Sequence, residues 1–303
     1  MKDNVEVNRR SVSISDGLIK LLQEKGFKAN QPPPPGNYIT FSQTRGVKES
    51  EMEQNQYRLE IPNWRIILPP HLSHKYVAVR SGVGSYGWSG TIGIKDIGAT
   101  IILGSVVTSA KLEPTEPIPP EESFCDNCRI CTLACASKYL VRNEETSVVL
   151  GGKKFTHCAR RTKLRCQLVC GGFSGLEQNG KWSTWSPGRY QLPDDDKKMF
   201  SVIATAVKNY QKWPENTSPE YKSPFRGLRL TCAFCQLVCF GNKKETAENY
   251  KSLKNSGCLI QEEDGDFIIL PADEAKEYFE SINPKHRKLY EGRKKKQLKV
   301  INR

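Results

Sequence analysis

The run Cys125-Asp126-Asn127-Cys128-Arg129-Ile130-Cys131-Thr132-Leu133-Ala134-Cys135 holds four thiols with gaps of two, two and three residues. This spacing wraps a 4Fe-4S cube, with the last cysteine reaching a different cube when two are present. A second run, Cys232-Ala233-Phe234-Cys235-Gln236-Leu237-Val238-Cys239, adds three thiols at the same spacing. Two cubes are then one ligand short. The simplest wiring is crossed: Cys125, Cys128 and Cys131 take Cys239 as fourth ligand, while Cys232 and Cys235 take Cys135 and one outside thiol. Cys166 is the expected outside thiol because it lies on a helix-compatible stretch, Thr162 to Cys170, before the second run. Cys170 is its close rival, and Cys158 is a further alternative.

Other uses of cysteine fit the spacing less well. A structural zinc site needs four tetrahedral ligands, and four cysteines within eleven residues do not have zinc-ribbon spacing. Disulfides need an oxidising compartment, whereas the start of the chain, Met1-Lys2-Asp3-Asn4, is charged and has no apolar secretory core.

Those thiols need elements to position them, and the 303 residues suffice for one large or two modest domains. Hydrophobic residues at 37% and charged residues at 26% are ordinary for a soluble protein. The longest apolar runs, Ala99 to Leu103 and Phe267 to Leu270, are strand-sized rather than membrane-spanning. A cytoplasmic location is expected. The net charge of +13 is concentrated at the end, because residues 285–303 hold nine Lys or Arg and one Glu. This basic tail suits nucleic acid or an acidic partner only through nonspecific electrostatics, and a solvated end explains it equally well.

In chain order, Ser15-Asp16 caps a helix whose Leu18, Ile19, Leu21 and Leu22 recur at helical spacing up to Gly26. The prolines from Pro32 to Pro35 form a stiff connector, and Trp64 to Leu68 is a strand candidate. His71 and His74 bracket the next element and read as ordinary surface or core histidines. Tyr76 to Arg80 reads as a strand leading into Ser81-Gly82-Val83-Gly84-Ser85-Tyr86-Gly87-Trp88-Ser89-Gly90. Glycines at this density let backbone approach a flat ligand, so Ser81, Gly82, Gly84, Gly87, Trp88 and Gly90 are candidate cofactor contacts. Gly82, Gly84 and Gly87 also fit a dinucleotide fingerprint, but no helical pattern follows. Thr91 to Ile94, a turn at Asp96 to Gly98, and Ala99 to Ser109 read instead as a β-hairpin.

Further on, Val148 to Cys158 reads as a hairpin around Gly151-Gly152. Trp182 to Tyr190 is an aromatic loop, and Phe200 to Trp213 and Glu245 to Leu253 are helices. Leu259 to Leu270 is a hairpin turning at Asp264-Gly265, and Asp273 to Ile282 is a short helix. Cys258 reads as an inert core thiol.

The stretch from Ala78 through Cys135 combines a Gly-rich turn, an Ile/Val-rich segment, Thr108, Leu112-Glu113-Pro114 and the four-cysteine run. It resembles the epoxyqueuosine reductases and the related corrinoid-dependent reductive dehalogenases over roughly residues 70–242. The resemblance implies an α+β chain: a partial nitroreductase-like, cobalamin-domain-like segment at 1–119, shortened at its N-terminal side, and a ferredoxin-like domain with two 4Fe-4S clusters at 120–258. A C-terminal hairpin and helix at 259–284 and the basic tail at 285–303 follow. It also implies an oxidoreductase taking electrons from a ferredoxin or flavodoxin-like donor to cobalamin or a similar cofactor. Its proton donor has no counterpart placed on this sequence. The alternatives are a ferredoxin-like carrier docking a partner enzyme or a corrinoid protein, and a tRNA-modifying reductase.

Overall fold

A computed structural model describes residues 2–32, 72–170, 173–174, 190, 192–210, 232–262 and 267–290. The first helix, α1 (Lys2–Glu24), begins well before the expected cap. Ser15 sits inside it and returns its hydroxyl to the Ser11 carbonyl at 3.0 Å, so it is no cap. Gly26, at φ 84°, ends the helix in the left-handed conformation that glycine adopts without a Cβ penalty. The chain then forms β1 (Ala29–Asn30). The proline connector beyond Pro32, the Trp64 to Leu68 strand candidate and His71 lie outside the described residues.

The stretch read as a strand at Tyr76 to Arg80 is instead a helix, α2 (His74–Arg80). Ser73 caps it by accepting the Tyr76 N–H, and Ala78 and Val79 are buried in the core, which outweighs the strand preference of Val77 and Val79. His74 is buried, with Nδ1 2.8 Å from the Ser105 hydroxyl. The Gly-rich stretch supplies β2 (Ser85–Tyr86), which pairs antiparallel with β3 (Ile92–Gly93). The expected 91–109 hairpin is therefore corrected: only an Ile94–Gly98 bridge closes the predicted turn, and β4 (Val107–Thr108) pairs with β1.

The first cysteine run contains one short helical turn, α3 (Ile130–Leu133). The hairpin read around Gly151-Gly152 is present and longer than expected, formed by β5 (Leu140–Leu150) and β6 (Lys153–Arg160). Next come α4 (Lys163–Cys170) and α5 (Met199–Tyr210), both close to their expected spans. Of the aromatic loop, only Tyr190 is described. The second cysteine run forms α6 (Phe234–Leu237), and α7 (Lys243–Lys254) is capped by Asn242. β7 (Cys258–Gln261) pairs with β8 (Phe267–Leu270), then α8 (Ala272–Ser281) and α9 (Pro284–Tyr290) follow. Pro284 opens α9 where its missing N–H costs nothing, so helix extends into the start of the basic tail.

The chain is thus mixed α and β, and every sheet among the described residues is two-stranded and antiparallel. No helix of the described residues is long and apolar enough to cross a membrane. Two apolar cores flank the cysteine runs. Ala78, Val79, Tyr86, Ile92 and Phe155 join α2 to the β5–β6 hairpin. Leu168, Met199, Ala206, Ile260, Ala275 and Phe279 join α4, α5, β7 and α8, with Cys258 packed among them as the sequence suggests.

Candidate metal centre

Local backbone geometry curls the first cysteine run. Asn127 and Arg129 both have φ near +60°, a conformation costly for residues with a Cβ. Cys128 N–H donates to the Asp126 carboxylate at 3.1 Å, which holds the turn. The second run is fastened to the first by the main chain, because Asp126 N–H donates to the Gly241 carbonyl at 3.0 Å. Cys239 therefore packs with Cys125 and Phe124 rather than with its own run.

The thiols also act on one another electrostatically. Burial pushes the Cys239 thiol up to about 11, and the nearby sulfurs of Cys125 and Cys128 push the same way. Burial raises Cys131 further, helped first by Cys239 and then by Cys125, Cys235 and Cys158. On the other side, burial raises Cys235, with Cys232, Cys135 and Cys166 as its thiol neighbours. Burial also raises Cys135, whose thiol neighbour is Cys232. Cys125, Cys128 and Cys239 thus neighbour one another, as do Cys135, Cys232 and Cys235, while Cys131 packs with Cys135 and Cys158 and has Cys125 and Cys235 beside them. Cys131 feels Cys235 as well, so the two sets adjoin.

Two of the three candidates for the last position stand beside the second cysteine run. Cys166 and Cys170 lie one turn apart on α4 with sulfurs 3.5 Å apart, and Cys170 also reaches the Cys232 carbonyl at 3.6 Å. Their hydrogen bond lowers Cys166 and raises Cys170. Cys158 is fully buried on β6, its thiol pushed to about 11 by burial, and its N–H donates to the Trp88 carbonyl at 2.7 Å.

Among the described residues no three His, Cys, Asp or Glu side chains converge as ligands of a single metal ion. A tetrahedral zinc holds each sulfur about 2.3 Å away, whereas a four-iron cube spreads its thiolates over a larger body. Two observations fit the larger group. The donor set is all thiol, the set iron–sulfur cubes require. Finally, the buried indole Nε1 of Trp88, which packs with Cys131, Cys135 and Cys158, has no acceptor among the described residues. A buried N–H normally has one, and the sulfur of a cluster would serve.

The Gly-rich stretch braces this centre. Ser85 Oγ accepts the Phe124 N–H at 3.1 Å, Ser123 Oγ donates to the Tyr86 carbonyl at 3.1 Å, and Trp88 N–H donates to the Cys125 sulfur at 3.3 Å. The close approaches permitted by its glycines are filled by the chain itself. A Cβ at Gly90 would collide with the Arg160 guanidinium, and one at Gly87 would meet the Phe124 ring at 2.8 Å. Gly82 lies against the Glu116 backbone, Gly84 lies against Gly93, and Ser81 returns its hydroxyl to the Val77 carbonyl at 2.8 Å.

Sequence reading missed the charged residues around the thiols. Arg165, fully buried beside Cys166, bonds the Ser137 carbonyl at 3.3 Å, the Pro193 and Asp194 carbonyls at 2.6 and 2.9 Å, and Asp196 at 2.5 Å. It ties the exit of the first cysteine run to α4. Lys75 and Arg160 converge on the Gly90 carbonyl at 3.3 and 2.8 Å. Nothing in their spacing marks these residues, since their partners, main-chain carbonyls and for Arg165 also Asp196, are distant in sequence. No family model matches the chain, and no curated protein or solved structure matches it either.

Proposed function

We propose that this chain is an iron–sulfur oxidoreductase component that passes low-potential electrons through two 4Fe-4S clusters. One cluster would be held by Cys125, Cys128, Cys131 and Cys239, the other by Cys135, Cys166, Cys232 and Cys235. The observation that supports this wiring is the packing of Cys239 with Cys125, together with Cys232 and Cys235 as neighbours of Cys135, which also packs with Cys131. When bound, such clusters supply one-electron transfer at a potential set by their charge, exposure and hydrogen bonding.

The protein's own residues do the rest. The N–H groups of Trp88 and Asn127 donate to the Cys125 sulfur at 3.3 and 3.4 Å, which disperses negative charge on that ligand. Phe124, Trp88 and Leu140 are buried beside the thiols and exclude water there. The reading entails a one-electron donor protein of ferredoxin or flavodoxin type on one side and an acceptor on the other.

For the acceptor, the family resemblance suggests a corrinoid near Ser81 to Gly90. The packing of Gly82, Gly87 and Gly90 against Glu116, Phe124 and Arg160 instead favours an electron carrier whose acceptor sits on a partner enzyme. Anaerobic purification after growth with cobalamin, followed by iron, sulfide and cobalt analysis, tests both. About eight irons without cobalt supports the carrier, and about eight irons with stoichiometric cobalt supports the corrinoid enzyme.

A further inference from the structure

Cys135 leaves the first cysteine run through a tight turn. The Lys138 N–H donates to the Cys135 carbonyl at 3.0 Å, and Lys138 takes a left-handed φ of 51° that residues with a Cβ seldom adopt. The turn carries Ser137 back over the sulfur the chain has just passed. Ser137 Oγ lies 3.3 Å from Cys135 Sγ, and both residues are buried.

Only one direction of that contact survives when Cys135 holds iron. A ligating cysteine is a thiolate without a proton, so the hydrogen must come from the serine. Ser137 has one to give, because its oxygen already accepts the Tyr139 N–H at 3.3 Å and the hydroxyl hydrogen is left for the sulfur. The main chain of Ser137 is fixed as well. Arg165, fully buried on α4, donates to the Ser137 carbonyl at 3.3 Å and is itself anchored on the Pro193 and Asp194 carbonyls and on Asp196. The neighbouring hydroxyls are spent on main chain: Thr132 returns its own to the Arg129 carbonyl at 2.7 Å, and Ser123 serves the Tyr86 carbonyl. Cys125 differs from Cys135 in that its donors are the main-chain N–H groups of Trp88 and Asn127.

We propose that Ser137 sets the reduction potential of the cluster that Cys135 holds, by donating its hydroxyl to that ligand's sulfur. This rests on the reading of Cys135 as a cluster ligand. Reduction adds one negative charge, part of which resides on the ligand sulfurs, and a hydrogen bond to an anionic acceptor away from water favours that state. The electron comes from a low-potential one-electron donor, dithionite in the laboratory, and the hydroxyl keeps its proton throughout.

The test is a redox titration of the full iron-loaded chain followed by EPR, with iron counted in each protein and the relevant signal identified as the one that Cys135→Ala abolishes. At wild-type iron content, Ser137→Ala should lower the step of that signal by roughly tenfold in the reduction equilibrium, or about 59 mV for one electron, and leave the other step in place. Ser137→Thr, which keeps the hydroxyl, should hold the wild-type value. An unchanged step in Ser137→Ala, or two steps that move together, overturns the inference. Should Ser137→Ala bind less iron, Ser137→Val is compared with Ser137→Thr, two side chains of one shape that differ by the hydroxyl. A lower step for the valine variant supports the inference. Equal steps, or iron lost from the valine variant as well, make the hydroxyl a support of the turn and overturn it. Wild-type protein without iron overturns the cluster reading and the inference with it, whereas a failed Ser137 comparison at full iron content leaves that reading standing.

Discussion

Trp88 and Cys125 are joined by a main-chain hydrogen bond, the Trp88 N–H donating to the Cys125 sulfur across 3.3 Å. The same residue leaves its indole Nε1 buried without an acceptor among the described residues. Trp88→Phe keeps an aromatic ring under Arg129 and removes the Nε1 donor with part of the indole ring. The variant should bind as much iron as wild type and show a more negative reduction step, because a hydrogen bond to cluster sulfur favours the reduced state. An unchanged potential would mean that Nε1 does not face a cluster.

The exchange of last cysteines makes a prediction that uncrossed wiring does not share. Cys125→Ala and Cys239→Ala should each abolish the same EPR signal, and the double variant should lose no more iron than either single one. Cys135→Ala and Cys232→Ala should abolish the other. Each loss should take the iron count from about eight to about four. Pairing of Cys239 with Cys232 in one signal would contradict the crossing.

Cys166 and Cys170 lie 3.5 Å apart, and only one is needed. Cys235 has Cys166 among its neighbours, whereas Cys170 lies against Cys232, reaching its carbonyl and bonding its thiol. Cys170→Ser should therefore keep about eight irons and Cys166→Ser should fall to about four. Iron analysis of the two variants decides, and the reverse result would assign Cys170 as ligand.

Arg165 is fully buried and fastens three carbonyls and Asp196. Arg165→Ala should cost about 3 kcal/mol or more in chemical denaturation, through the orphaned carbonyls and the lost ion pair. Partial desolvation works to raise the Asp196 carboxyl, but the Arg165 hydrogen bond and the Arg165 and Arg161 charges outweigh it and hold the carboxyl below its ordinary value. A lowered folded value means that this stability is present above the unfolded carboxylate value of about 3.9 and is lost as pH falls through the folded one. Asp196→Asn should flatten the decline in stability below about pH 4, and an unchanged acid limb would remove Asp196 from the account.

The elements α4, α5 and the β5–β6 hairpin were legible because their periodicity and the Gly151-Gly152 turn are local properties of the chain. Tyr76 to Arg80 misled because Val77 and Val79 favour strands, while the deciding features were the Ser73 cap and the burial of Val79 against Phe155 and its neighbours. The 91–109 hairpin failed for a related reason: the partner of Val107–Thr108 is Ala29–Asn30, far away in sequence. The glycines of 82–90 were seen, but the ring and guanidinium that fill the space beside them come from Phe124 and Arg160. Lys75, Arg160 and Arg165 had no sequence signal because their partners, carbonyls and for Arg165 also the Asp196 carboxylate, are brought near only by folding.

The most direct test of the central claim is the iron and acid-labile sulfide content of the anaerobically purified chain, with EPR before and after dithionite. The account predicts about eight irons and eight sulfides per chain, with two interacting signals appearing on reduction. Zinc in place of iron, or cysteines paired as disulfides in protein prepared without oxygen, would contradict it.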